Sequence, residues 1–278
     1  MSVILLTLII LVGSYFAGLL GSLTGLGGGV VIIPLLTLLL NVNIHYAIGA
    51  SLVSVIATSS GSAAAYVKEG ITNMRLGMFL EIATTAGAMC GAILAIHMPT
   101  HYIAVIFGVI LIISALLSLR KKAGQISINK NYLAIKLKLN GSYPTANGKV
   151  EYSVNNVVGG FFMMLFAGVI SGLLGIGSGA LKVIAMDSIM RIPFKVSTTT
   201  SNFMIGVTAS ASAVVYLQRG YINPGLSMPV VIGVLLGAFT GSKILVQTLS
   251  SGWLRWVFAI VVTFLAIQMI YNGFTGKI

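Results

Sequence analysis

Long apolar runs dominate the chain, and they constrain its fold more than any other feature. Ten of them lie at about 3–22, 28–40, 47–66, 77–96, 101–119, 157–174, 180–190, 197–217, 226–246 and 254–272. Most approach the roughly 20 residues that a membrane-spanning helix needs, whereas barrel strands would alternate in character over about 10 residues. Hydrophobic residues make up 57% of the 278 residues and charged residues only 7%. The sequence therefore predicts an all-α polytopic membrane protein.

The sequence also matches itself at an offset of 150 residues, without a gap, over about seventy-five positions. Because Tyr, Thr and Asn match as well as the common small residues, chance coincidence does not explain the alignment. The matched pairs include Gly25/Gly175, Gly27/Gly177, Gly29/Gly179, Ser51/Ser201, Thr58/Thr208, Tyr66/Tyr216 and Asn73/Asn223. We predict two transmembrane repeats, 1–119 and 157–278, each with about five hydrophobic segments.

A polar linker, 120–156, separates the repeats. Apolar and polar residues alternate from Leu133 to Leu139, the chain turns at Asn140-Gly141 and Asn147-Gly148, and the alternation resumes up to Val154. This pattern is typical of a β-hairpin. We predict that the linker carries a hairpin with a structural role.

The net charge of +12 is explained by membrane topology and does not indicate binding to nucleic acid. Twelve of the sixteen Lys and Arg residues lie between hydrophobic segments, at Lys68, Arg75, Arg120, Lys121, Lys122, Lys130, Lys136, Lys138, Lys149, Arg191, Lys195 and Arg255. Five crossings per repeat would place these residues on one face of the membrane, which the positive-inside rule makes cytoplasmic. We therefore expect inverted repeats, a cytoplasmic linker and a multi-pass protein of the cell membrane.

Two glycine-rich stretches interrupt the apolar pattern at corresponding positions, "GSLTGLGGGVVIIP" (21–34) and "SGLLGIGSGALKVI" (171–184). The runs that follow them, 28–40 and 180–190, would reach only about 20 Å as helices, less than a hydrocarbon core of about 30 Å. We predict broken or half-length helices whose N-termini could bind an anion inside the membrane. The alternative is that the glycines only let helices pack closely.

The stretches "GLGGGVVIIP" and "GIGSGALKVI", followed by "YAIGASLVSV" and "VSTTTSNFMI", resemble the TauE/SafE family of membrane permeases. The resemblance covers both repeats. It implies an internally duplicated helical fold and transport of sulfite, sulfonates or related sulfur compounds. The two repeats are not identical at these stretches. At the offset of 150, Ile184 corresponds to Pro34 and Ser178 corresponds to Gly28.

The candidate substrate-binding residues surround the two breaks. They are Gly25, Gly27, Gly28, Gly29, Gly175, Gly177, Ser178, Gly179, Lys182, Ser51, Ser201 and Asn202. Lys182 could supply charge to an anion, or it could pair with Asp187 or extend to the membrane interface. Glu81 and Asp187 could each carry a coupling proton. Asp187 is the preferred candidate, whereas Glu81 is interpreted as a residue near a helix end that pairs with Arg75 or a linker lysine.

These features predict a secondary transporter that moves a small anion across the bilayer by alternating access, and the resemblance implies that the anion contains sulfur. No catalytic residue, metal site or cofactor is predicted, and the chain lacks a nucleotide-binding G-x-x-x-x-G-K-[ST] motif. Two alternatives are an intramembrane serine hydrolase that uses Ser178 and a transporter of metal cations. The sequence leaves open the anion, the direction of transport, the coupling ion and the oligomeric state.

Overall fold

A computed structural model describes residues 3–24, 28–68, 70–119, 131–145, 148–247 and 252–277. In the first repeat, the helices are α1 (Val3–Thr24), α2 (Gly29–Pro34), α3 (Ile44–Lys68), α4 (Met74–His97) and α5 (Thr100–Leu119). The linker contains α6 (Tyr132–Lys136), β1 (Gly141–Thr145) and β2 (Gly148–Tyr152). In the second repeat they are α7 (Val157–Leu174), α8 (Gly179–Ile184), α9 (Phe194–Gln218), α10 (Pro224–Gln247) and α11 (Gly252–Phe274).

The helix bounds follow the same offset of 150 that relates the sequences. The starts and ends of α2, α3 and α4 match those of α8, α9 and α10 residue for residue. α2 and α8 are the predicted short helices, and each continues as a π-helical turn, Leu35–Leu39 and Ala185–Ile189. Because Ile184 stands where the first repeat has Pro34, the proline is not the common cause of the π-helical turns.

The main helix–helix contacts between the repeats are equivalent at the offset of 150. α1 packs on α10 and α4 on α7, while α3 packs on α9 and α5 on α11. Glycines permit the closest approaches, because a Cβ at Gly18 would collide with the backbone of Val234, and a Cβ at Gly168 with that of Thr84. These two pairs are equivalent at the same offset. Close packing is thus carried by glycines on α1, α4, α7 and α10, away from the breaks.

The outer surface of the helical bundle is apolar, as a lipid environment requires. Large side chains such as Ile4, Phe162 and Phe239 are exposed on α1, α7 and α10. Within the described part of the chain, four helices are long and apolar enough to cross a membrane, over Ile4–Gly21, Met74–His97, Val157–Leu174 and Phe194–Gln218. Together with five shorter apolar helices, they define a multi-pass membrane protein.

The linker hairpin pairs β1 with β2 in antiparallel register, Gly141 opposite Tyr152. The expected extended segment at Leu133 to Leu139 is wrong, since α6 occupies its first part. The Asn131 side chain accepts a hydrogen bond from the Leu133 N–H at 3.0 Å and caps this helical turn. Asn73, before α4, fixes the linker by donating to Leu139 O and to the Tyr152 hydroxyl, both at 2.8 Å.

Candidate functional site

The second break consists of residues in left-handed backbone conformations. After α7, Gly175 has φ +66°, Gly177 has φ +73° and Ser178 has φ +46° before α8 begins at Gly179. This region is accessible to glycine and costs other residues roughly 1–2 kcal/mol. Two of the glycines in this loop are therefore required by the turn itself.

The first break is described from Gly28 onward, and Gly25 and Gly27 lie outside the described residues. Gly28 has an ordinary right-handed conformation, with φ −69°. Gly29 begins α2 and is tightly enclosed, because a Cβ there would collide with Ser51 Oγ and would lie 3.3 Å from Gly175 O. The start of α2 therefore packs directly against the break in the other repeat.

Two serines on the long central helices α3 and α9 hold the second break. Ser51 Oγ donates to Gly175 O at 2.9 Å, and Ser201 Oγ donates to Gly179 O at 3.2 Å. Both serines are buried. Asn202 takes part in α3–α9 packing through its backbone, since its carbonyl oxygen accepts from Ser59 Oγ at 2.5 Å.

A cavity of about 10 Å³ adjoins the second break. Its lining residues are Val30, Ile110, Ser114, Ile176, Ser178, Gly179, Ala180 and Leu181. Ser178 Oγ is buried and makes no hydrogen bond within the described part of the chain. A space of this size accommodates about one water molecule, so this conformation is closed to an anion of the size of sulfite.

Lys182, in the first turn of α8, is completely buried. Its Nζ donates to Thr208 Oγ1 at 2.5 Å, and Thr208 Oγ1 lies 2.6 Å from Glu81 Oε1, to which it donates. Thr85 Oγ1 also donates to Glu81 Oε1, at 3.2 Å. A buried cation and a buried carboxylate are thus connected by one hydroxyl that joins α8, α9 and α4. Asp187, proposed above as a partner of Lys182, is half-buried in the π-helical turn after α8.

The interpretation of Glu81 as a helix-end residue is wrong. Glu81 lies inside α4, with only 7% of its surface exposed, and its contacts are to threonines in the bundle. A signal for this network is present in the sequence. Lys182 and Glu81 have opposite charges, and their counterparts at the offset of 150 are Ile32 and Val231, both apolar. Each charge is therefore unnecessary for the repeated fold itself.

The described residues contain no group of three or more His, Cys, Asp or Glu side chains that could hold a metal ion. Carboxylate, thiol and imidazole ligands are the ones that transition-metal sites use in proteins.

The fold and the site define a class, a multi-pass helical membrane protein with two short helices that begin at facing breaks. Residues 9–269 match the family model "Sulfite exporter TauE/SafE". The chain belongs to the TauE/SafE family of membrane transporters, which confirms the resemblance and excludes the serine hydrolase.

Relatives match over most of their length. The chain is 31% identical over 272 residues to "Probable membrane transporter protein YunE" of Bacillus subtilis (strain 168), covering 95% of this chain and 97% of that protein. It is 28% identical over 242 residues to "Probable membrane transporter protein YdhB" of the same organism, covering 85% and 89%. It is 25% identical over 252 residues to "Probable membrane transporter protein MJ0441" of Methanocaldococcus jannaschii, covering 87% and 85%. No solved structure gives a significant match.

Proposed function

We propose that the protein is a secondary transporter that moves a small sulfur-containing anion, such as sulfite or a sulfonate, by alternating access around the two breaks. The main support for this proposal is the contact between the repeats at the breaks. Ser51 of one repeat donates a hydrogen bond to Gly175 of the other, and Gly29 packs on both residues. Broken helices that meet inside a bundle are the usual site of substrate binding in transporters with internal repeats. The sulfur anion is suggested by the family description, which names sulfite export.

The anion would bind where the backbone at the breaks offers N–H groups and hydroxyls. Around the second break the Ser178 hydroxyl has no hydrogen-bond partner in the described ranges. The hydroxyls of Ser51 and Ser201 would have to release the carbonyl oxygens of Gly175 and Gly179 before they could donate to an anion. Lys182, which follows the break, would supply positive charge. Since the adjoining cavity has room for about one water, substrate entry requires that the repeats move apart at the breaks.

The equivalent helix–helix contacts between the two repeats support alternating access. The main helix–helix contacts between the repeats have equivalents, as α1 on α10 has in α4 on α7. An odd number of crossings in each repeat would give the two copies opposite orientations, so that one rocking movement opens either face. The same arrangement makes the linker cytoplasmic, because the basic turns then share one face.

Transport assays in proteoliposomes test the substrate. We expect saturable uptake of radiolabelled sulfite, thiosulfate or an alkyl sulfonate, and no comparable uptake of chloride, with protein-free liposomes as the control. The assays are run with and without a pH gradient. Chloride flux without flux of any sulfur anion would refute the proposed substrate class.

Cysteine labelling tests the orientation. Cys90 is exposed and is first replaced by alanine. Asn140→Cys then places one thiol in the exposed linker, and an impermeant maleimide should label it only after the cells are permeabilised. Labelling of intact cells would contradict the cytoplasmic linker.

A further inference from the structure

Only one of the two Glu81 carboxylate oxygens has hydrogen-bond partners among the described residues. Its Oε1 accepts hydrogen bonds from Thr208 and Thr85, whereas Oε2 is buried and has no hydrogen-bond partner among the residues described. Thr208 accepts from the Lys182 ammonium, and its single hydroxyl proton can reach Glu81 Oε1, at 2.6 Å, and the Met204 carbonyl oxygen, at 2.9 Å. The Thr208 hydroxyl thus connects a buried cation with a buried carboxyl group, one oxygen of which has no hydrogen-bond partner in the described ranges. A buried ionised oxygen without a partner is costly, and a bound proton removes that cost.

Lys182 is the charged group that faces Glu81 from the elements packed around it in the described ranges. α7 carries no titratable side chain. On α4 and α9 the other titratable groups point elsewhere. Arg75, Cys90, His97 and Lys195 are exposed, and the Tyr216 hydroxyl is oriented toward the backbone of Gly172 and Leu173. Asp187 lies in the π-helical turn after α8.

We propose that Glu81 Oε2 binds the coupling proton of the transport cycle and that its protonation frees Lys182 to bind the substrate anion. This inference rests on the proposed transport of an anion. It gives to Glu81 the role that the sequence analysis assigned to Asp187, because Thr208 connects Glu81 with Lys182. The proton comes from water on one side of the membrane and returns to water on the other, and only the O–H bond at Oε2 forms and breaks.

The coupling follows from charge balance at a buried site. With Glu81 ionised, Lys182 is already compensated through Thr208, so that an anion must compete with the carboxylate. With Glu81 protonated, an ammonium without a counter-charge remains buried, and an anion neutralises it. Proton and anion therefore favour each other's binding, and by thermodynamic linkage each raises the affinity for the other by the same factor.

The direct test is proton uptake on anion binding. Thiosulfate is added to the purified full-length protein in weakly buffered detergent solution near pH 7.5, and the pH change and the binding heat are recorded. Thiosulfate keeps its charge in this range, so a pH change reports on the protein. The wild type should take up about one proton per bound anion, and its affinity should rise as the pH falls, by up to about tenfold per pH unit.

Variants assign the proton to its residue. Glu81→Gln should bind thiosulfate without the proton uptake of the wild type, because its neutral amide cannot take up the proton. Asp187→Asn is the matched control and should keep the wild-type uptake. Thr208→Val removes the bridging hydroxyl and should reduce the uptake while keeping both charges. A residue with a purely structural role would change thermal stability but not this stoichiometry.

The outcomes separate the two proposals. If the wild type binds none of thiosulfate, sulfite and an alkyl sulfonate at any pH, the proposed function fails and the coupling site fails with it. If the wild type binds with proton uptake and Asp187→Asn abolishes that uptake, or Glu81→Gln retains it, the assignment to Glu81 is overturned while anion transport stands. If Glu81→Gln does not fold, loss of the uptake in Asp187→Asn still overturns the assignment, and so does unchanged uptake in Thr208→Val.

Discussion

Ser51 Oγ lies 2.9 Å from the carbonyl oxygen of Gly175, so a side chain of the first repeat binds the broken backbone of the second. Gly29, at the start of α2, packs on the same two groups. The two breaks, more than a hundred residues apart in the chain, therefore form one structural unit.

This contact predicts a non-additive pair of substitutions. Gly29→Ala places a methyl group against Ser51 Oγ and should destabilise the protein by about 1–3 kcal/mol. Ser51→Ala removes one buried hydrogen bond and should cost about 1–3 kcal/mol. In the double variant the oxygen that collides is gone, so the combined loss should be smaller than the sum, with a coupling of about 0.5–3 kcal/mol. Thermal unfolding in detergent measures the cycle, and strictly additive losses would contradict the contact.

Gly177 and Gly220 provide a matched comparison at the second break. Both have φ +73°, so an alanine at either position bears the same backbone cost, roughly 1–2 kcal/mol. A Cβ at Gly220 meets nothing within 4 Å, whereas one at Gly177 would lie 2.8 Å from Ile205 Cγ2. Gly177→Ala should therefore lower the melting temperature and the transport rate more than Gly220→Ala. Equal effects would mean that the break tolerates a side chain.

Lys182 and Glu81 should be interdependent in folding. Lys182→Met leaves the Glu81 carboxylate buried without its cation, a loss of about 3–5 kcal/mol for a broken buried pair. Adding Glu81→Gln removes the unpaired charge and should restore folded protein. Lys182→Met combined with Asp187→Asn is the control and should remain unstable. Monodisperse yield in size-exclusion chromatography measures the result, and rescue by Asp187→Asn instead would identify Asp187 as the partner.

The docking of the linker should weaken at high pH. Burial raises the pKa of the Tyr152 phenol from 10.0 to about 12, and the hydrogen bond from Asn73 offsets only part of this rise. Because the folded state keeps its phenol proton while the released linker loses it, the stabilisation is complete below pH 10 and declines as the pH approaches 12. Each unit of pKa difference corresponds to about 1.4 kcal/mol.

Cleavage of the linker by a protease active in alkali measures this effect. The wild type should become more susceptible across that pH range, and Tyr152→Phe should remove the phenol-dependent part of the change. Tyr132→Phe, which alters an exposed phenol, is the control and should behave as the wild type. An identical pH profile for the wild type and Tyr152→Phe would contradict the assignment.

Much of the fold was accessible from the sequence because it depends on local composition and on repetition. Apolar runs predict helices, and the offset of 150 predicts that α8 begins at Gly179 if α2 begins at Gly29. The alternation at Leu133 to Leu139 wrongly predicted an extended segment. Asn131 caps a helical turn there, and the cap outweighs a weak strand pattern.

The site was only partly accessible. Glycines at 175 and 177 mark the break, since their residue type reflects a local backbone conformation. The Lys182–Thr208–Glu81 network depends on how α8, α9 and α4 meet in space, and no local spacing contains that information. Lys182 and Glu81 correspond to the apolar residues Ile32 and Val231 in the other repeat. This difference indicates that the two charges matter, but it does not show that they are connected to each other.

The packing of α1 on α10 has a consequence for how the protein is made. α1 ends at Thr24 and its partner begins at Pro224, so roughly 200 residues must be synthesised after α1 leaves the ribosome. At about 5–20 residues per second this takes about 10–40 s, during which the glycine-bearing side of α1 has only lipid or the insertion machinery as a neighbour. α4 and α7 are separated only by α5 and the linker, and they can meet much earlier. The bundle is therefore assembled from the middle of the chain outward, and its first helix is among the last to be packed.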